Sequence, residues 1–199
     1  MSKIGLVIVD LQQDFLDPQG AYARGGAVSP AAQALPARML GVAQAVKAQG
    51  GLVCASLFTL WPDTQGEPMI SPHLLAKRPF LRRGDFAPNS EGQALVPSLR
   101  GVVDVCVWKV AYSAFFNTQL DWVLRRAGVS TLAVSGIVTN GGVASSVRDA
   151  HMREYHAMVL SDGCAAFRPE VHQTALADMG TLADVMTCQD FVEKICEGQ

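Results

Sequence analysis

Residues 131–150 read TLAVSGIVTNGGVASSVRDA. The first six form an apolar run without the alternation of a half-exposed strand, which predicts a strand covered on both faces. From 142 to 155 the apolar residues recur at helical spacing. A buried strand that passes through a glycine-containing turn straight into a helix is half of a β-α-β unit, and it decides the fold if the pattern repeats. The pattern does repeat. Similar apolar runs stand at 4–9 (IGLVIV), 51–58 (GLVCASLF), 102–108 (VVDVCVW) and 157–160 (AMVL), and ADVMTC at 183–188 reads as a sixth strand before a short terminal helix. Helical spacing covers 30–47, 117–127 and 169–179. The expectation is one open, doubly wound α/β domain over residues 1–199, with no composition break to divide it.

Composition narrows the function classes. With 16 Lys and Arg against 18 Asp and Glu, both signs scattered along the chain, no basic stripe points to nucleic acid and no polybasic flank to a membrane surface. The opening MSKIGLVIVD is too short for a signal-peptide core or a membrane span and is interrupted by Asp10, so the expected location is the cytoplasm. Five widely spaced cysteines without a CxxC pair fit reduced thiols better than disulfides or a zinc cage. Cys106, in mid-strand, reads as core. Cys164 reads as a packed hydrophobe, with a displaced nucleophile as the minor alternative.

In open α/β sheets ligands bind beyond the carboxyl ends of the strands. There the first strand ends in Asp10, the third in Lys109, and the fourth in the GIVTNGG turn that opens a helix. If these strands are neighbours, a carboxylate, an ammonium group and backbone N–H groups converge on one crevice. Taken singly, the same residues also read as a turn cap, a solvated charge and a tight turn. The irregular stretch 59–93 is long enough to be a pocket wall or lid. Its basic residues at 77, 78, 82 and 83 favour an anionic or polar substrate, or form a solvated surface run. Phe15, Trp61, Phe86, Tyr112 and Phe116 are substrate-binding candidates as pocket-wall aromatics, against an equal reading as core.

VIVDLQQDF, WKVAYSAFFNTQL and VSGIVTNGGVASSVRDAHMREY with VLSDGCAAF, in this order and spacing, resemble the isochorismatase-like hydrolase superfamily, whose other branch is the cysteine hydrolases. The resemblance covers nearly the whole chain. It implies a Rossmann-like sheet of about six parallel strands, a small-molecule substrate and a homo-oligomer whose neighbouring subunit closes the pocket. It also implies a catalytic trio at Asp10, Lys109 and Gly142, and a cis peptide at Ile137–Val138 that turns backbone N–H groups, with that of Gly142, into an oxyanion pocket.

Gly142 is the departure. The cysteine hydrolases carry their nucleophile at that position, where a helix N-terminus favours the thiolate. Isochorismatases have glycine there, and by that resemblance a protonated Asp10 would protonate an enol ether directly, with Lys109 holding the carboxylate. The YSAF segment at 112–115 matches isochorismatases, but Ala111 stands where they have Arg; Arg78, Arg82 or Arg83 could replace that guanidinium. Thr139 and Asn140, the latter a substrate-binding candidate, look more like the amidase branch. Metal-dependent nicotinamidases hold zinc through an Asp-x-His after the second strand. FTLWPDTQ at 58–65 has none, and His73, His151, His156 and His172 lack ligand spacing, so neither a metal nor another cofactor is expected. The alternatives are a catalytically silent member that binds a small molecule, and a cysteine amidohydrolase whose Cys was replaced at Gly142.

Overall fold

Leu6, Val7, Ile8 and Val9 are all fully buried in the computed structural model, which describes residues 3–197. Their strand, β1 (Lys3–Val9), lies inside a sheet with β2 (Leu52–Phe58), β3 (Val105–Lys109), β4 (Val129–Ile137), β5 (His156–Ala165) and β6 (Asp184–Met186). The order is β3-β2-β1-β4-β5-β6, and every neighbouring pair is parallel. Successive side chains of β1 point to opposite faces. Leu6 and Ile8 join a core with α1 (Leu35–Ala48), while Val7 and Val9 join another with α2 (Leu120–Arg126) and α3 (Ala144–Met152). α4 (Pro169–Met179) adds Met179 to the second core and α5 (Cys188–Glu197) adds Phe191 and Ile195 to the first. The domain is therefore doubly wound and its six-stranded sheet all parallel, as the unalternating apolar runs predict.

Several boundaries differ from the sequence reading. The helix expected over 30–47 is two pieces, Pro30–Gln33 and α1, meeting at Ala34; Pro36 has no N–H to continue a ladder across the junction. β5 runs on to Ala165, so Cys164 lies in the strand. The helix expected from Gly142 begins at Ala144, after a π-helical turn at Thr139–Val143. Cys106 is exposed, not core, because β3 is an edge strand with one face only partly covered. Among the described residues, no helix is long and apolar enough to cross a membrane.

One topological expectation is corrected. β3 is not a neighbour of β1, since β2 stands between them. The strand order reverses between β1 and β4, and the crevice above that switch point is where doubly wound sheets bind ligands. At Gly136 (φ +112) the backbones of β4 and β1 come so close that an added Cβ would lie 2.0 Å from the carbonyl oxygen of Val9. Only glycine allows that approach, which brings the ends of the two central strands together below the crevice.

Candidate active site

Asp10 follows β1 directly, in a left-handed conformation (φ +58) that turns the chain out of the sheet. Its N–H donates to the Ser56 carbonyl at 3.0 Å. Lys109 ends β3 two strands away, yet its Nζ lies 2.7 Å from Asp10 Oδ2, with the side chains 2% and 6% exposed respectively. The lysine stem bridges the gap because β2 ends in register, Phe58 opposite Lys109, and the ammonium sits 5.7 Å from the Phe58 ring centroid. Nζ also donates to the carbonyls of Ala111 and Tyr112, each at 3.0 Å. An ammonium has three protons, and all three have acceptors. Lys109 thus fixes the carboxylate and the 111–112 backbone together.

Ser56 Oγ donates to the other carboxylate oxygen at 3.3 Å. Burial nevertheless dominates: it pushes the Asp10 carboxyl up to about 6, against the opposing pull of Lys109. Near neutrality such a group exists in both protonation states, as a general acid or base requires.

The π turn beyond β4 forms another wall. The Ile137–Val138 peptide is cis. Ser146 Oγ donates to the Gly142 carbonyl at 2.7 Å and accepts from the Ala114 N–H at 2.9 Å, tying the turn to the segment after Lys109. Buried Thr139 pairs its hydroxyl with His172 Nδ1 at 2.8 Å, a contact with no signal in the sequence because 33 residues separate them. A Cβ added at Gly142 would meet Val9 Cγ1 at 2.9 Å and the Ile137 carbonyl oxygen at 3.2 Å, so a cysteine there would need Val9 to move.

These walls enclose a cavity of about 70 Å3, room for about five waters or a small organic acid. Asp10, Lys109, Gly142, Val138, Phe15 and Tyr112 all line it. The other candidates do not. Ile137 is buried behind Val138 in the core. Phe86 is fully buried, its ring 4.7 Å from Phe15 and 5.2 Å from Phe58, so it backs the wall from inside. Trp61 and Phe116 are exposed, and Asn140 opens onto a separate surface groove beside Arg148 and Arg168. Residues the sequence reading left out of the lining are Tyr22, Phe58, Leu74, Val110 and Ala111. Aromatic type at an element end was the available signal for Phe58; none existed for Leu74 or Tyr22.

Of the three arginines in the long loop, only Arg78 reaches the cavity. Arg83 pairs with Glu67 at 2.6 Å, and Arg82 is exposed. Arg78 follows the helical turn Pro72–Lys77, which supplies Leu74 as well, so the 59–93 stretch does form a wall. No cysteine lines the cavity. Cys164 is buried in the second core, its thiol pushed up to about 12 by burial, and is inert as a nucleophile. Among the described residues, no group of three or more His, Cys, Asp or Glu is placed to hold a metal ion.

A family model described as the isochorismatase domain matches residues 5–190. Ureidoacrylate amidohydrolase RutB of Methylobacterium radiotolerans is 32% identical over 193 residues, which span 88% of this chain and 72% of that protein. Among solved structures, a cysteine hydrolase from Pseudomonas syringae pv. phaseolicola shares the fold with a TM-score of 0.84 at 24% identity, over 99% of this chain and 94% of its own. An isochorismatase family protein from Burkholderia thailandensis gives 0.74 at 28% identity, over 98% and 96%.

Proposed function

Because the chain belongs to the isochorismatase family of hydrolases, we propose that it cleaves a small anionic metabolite by proton transfer from Asp10, without a cysteine nucleophile. The observation that carries this reading is a buried carboxyl, raised to about 6, on the wall of a largely apolar cavity lined by no thiol. The substrate class is a carboxylate-bearing enol ether. The Asp10 carboxyl gives its proton to the terminal methylene carbon, and the ether carbon becomes an oxocarbenium ion. Water adds to that carbon and returns a proton to Asp10. The resulting hemiketal then breaks its C–O bond to release an alcohol and a keto acid.

Lys109 is a positioning group in this scheme, since its three protons are committed to Asp10, Ala111 and Tyr112. It stabilises the carboxylate that forms as the proton leaves. The backbone at Val138 and Gly142 polarises the substrate or orients the water. No cofactor enters the scheme.

The pH profile tests the direction of proton transfer. An acid must be protonated to act, so kcat/KM is expected to be level below pH 6 and to fall about tenfold per unit above it. A second reading, favoured by the likeness to ureidoacrylate amidohydrolases, is C–N hydrolysis with ionised Asp10 as the base that activates water. Its profile rises through pH 6 instead. Pyruvate and ammonia release over a panel of enol ethers and small amides separates the two bonds, and release of neither leaves a binding protein.

The domain is also proposed to work as a homo-oligomer. Val110 and Tyr112 at the cavity rim, and Phe116 just beyond, are half-exposed apolar side chains that a second copy would cover. Light scattering at micromolar concentration is expected to return at least twice the 21.2 kDa chain mass; a monomer contradicts it.

A further inference from the structure

We infer that Arg78 is the substrate's carboxylate receptor, and that the cavity is built for a monoanion whose remaining body is planar and uncharged. This rests on the proposed hydrolysis and adds to it the chemistry of the part of the substrate that does not react.

The argument begins with which cations have donors to give. Lys109 has none left over. Arg78 Nε donates to Tyr22 Oη at 2.7 Å and Nη2 to Tyr112 Oη at 3.1 Å. A guanidinium carries five N–H groups, so these two bonds leave both Nη1 protons and one on Nη2 without a protein acceptor among the described residues. Nη1 and the uncommitted N–H of Nη2 together make a fork that matches the two oxygens of a carboxylate.

Charge partners point the same way. Most of the other arginines find carboxylates, as Arg24 does at Asp85 and Arg83 at Glu67, and the two that do not, Arg82 and Arg126, are exposed to solvent. Among the described residues no carboxylate lies within ion-pair distance of Arg78, although it is half-buried and lines the cavity. Its orientation is set by neutral hydroxyls, which hold a guanidinium in place without cancelling its charge. Tyr112 also lies under it, with Cζ 5.8 Å from the ring centroid.

The rest of the lining limits the ligand. Besides Arg78 and the Asp10–Lys109 pair, the lining includes the apolar side chains of Phe15, Phe58, Leu74, Val110 and Val138. A flat, unsaturated body fits between such side chains, whereas a second carboxylate would lose its hydration there without gaining a donor.

The test uses three small acids and amides on one four-carbon trans skeleton, titrated into the full chain and followed by ligand-observed NMR: crotonate, fumarate and crotonamide. In wild type, crotonate is expected to bind at least tenfold tighter than fumarate or crotonamide. Arg78→Met should weaken crotonate about 10- to 100-fold, the worth of hydrogen bonds to a charged group, and leave crotonamide unchanged. Arg78→Lys keeps the charge without the fork and should give an intermediate loss, which also covers a Met variant that folds poorly. Fumarate binding tighter than crotonate, or crotonate indifferent to both substitutions, overturns the inference. The same titrations in Asp10→Asn separate it from the catalytic reading: binding there needs no turnover, so a retained Arg78 dependence stands even if the acid mechanism fails.

Discussion

Asp10→Asn is expected to lower turnover by about 10² to 10⁴, the usual worth of a positioned general acid. Asparagine keeps the size of the side chain; its single amide oxygen can accept from Lys109, while its NH2 takes the place of the oxygen that Ser56 contacts and donates to the Ser56 hydroxyl, which can turn to accept. What it lacks is the proton. The variant leaves the buried Lys109 ammonium without its counter-ion, so its unfolding temperature is expected to fall; turnover is therefore read well below that temperature, where circular dichroism shows the fold intact, so that loss of activity cannot be charged to loss of fold. Iodoacetamide is the companion measurement. It should modify the exposed Cys106 and Cys196 and leave turnover nearly intact, since neither lines the cavity. An Asn variant with full turnover, or a wild type inactivated in step with labelling at Cys164, would return the site to a thiol mechanism.

Lys109→Met should cost stability in a pH-dependent way. The side chain is almost wholly buried and Met fills a similar volume, but Asp10 loses its counter-ion and two carbonyls lose their donor. Breaking a buried pair from one side costs about 3–5 kcal/mol while the remaining charge stays ionised. The sign follows from linkage. Burial holds the Asp10 carboxyl above its unfolded value of 3.8, at about 6, so the folded state binds more protons than the unfolded one between those values. That contribution disfavours folding as pH rises. Without the ammonium the folded value climbs further, and the variant goes on losing about 1.4 kcal/mol per pH unit above 6, where wild type has levelled off. Chemical denaturation at pH 5 and pH 8 should therefore show a small gap to wild type at the lower pH and a large one at the higher. Adding Asp10→Asn to Lys109→Met should remove the widening. A gap of equal size at both pH values would mean that Asp10 is not the group that responds.

Asp10 and Lys109 are legible in the sequence because one follows and the other ends an apolar strand, and strand ends in a parallel sheet point to one edge. The pairing itself was legible for a partly mistaken reason. The strands are separated by β2, and contact depends on the length of the lysine side chain and on the register that sets Phe58 opposite Lys109. The aromatic candidates divided for a related reason. Phe15 and Phe86 pack against each other, yet only Phe15 reaches the cavity, and nothing in their local sequence states which side of the cluster each occupies.

What the sequence by itself determined is the layer architecture and the chemical types at the strand ends. Both follow from local rules: covered strands read as continuous apolar runs, and glycines at 141 and 142 leave no side chain to attack with. Only the tertiary structure decided which loop side chains face the cavity. Arg78 lies 68 residues from Asp10 and 34 from Tyr112 (78 − 10 and 112 − 78). Its orientation depends on two tyrosine hydroxyls brought from separate segments, and among the described residues it has no carboxylate partner while the nearby Arg83 has one. Likewise the acidity of Asp10 is set by burial under the assembled walls, against the pull of a lysine from another strand. Desolvation and charge pairing are properties of surroundings, and those surroundings exist only once distant parts of the chain have packed together.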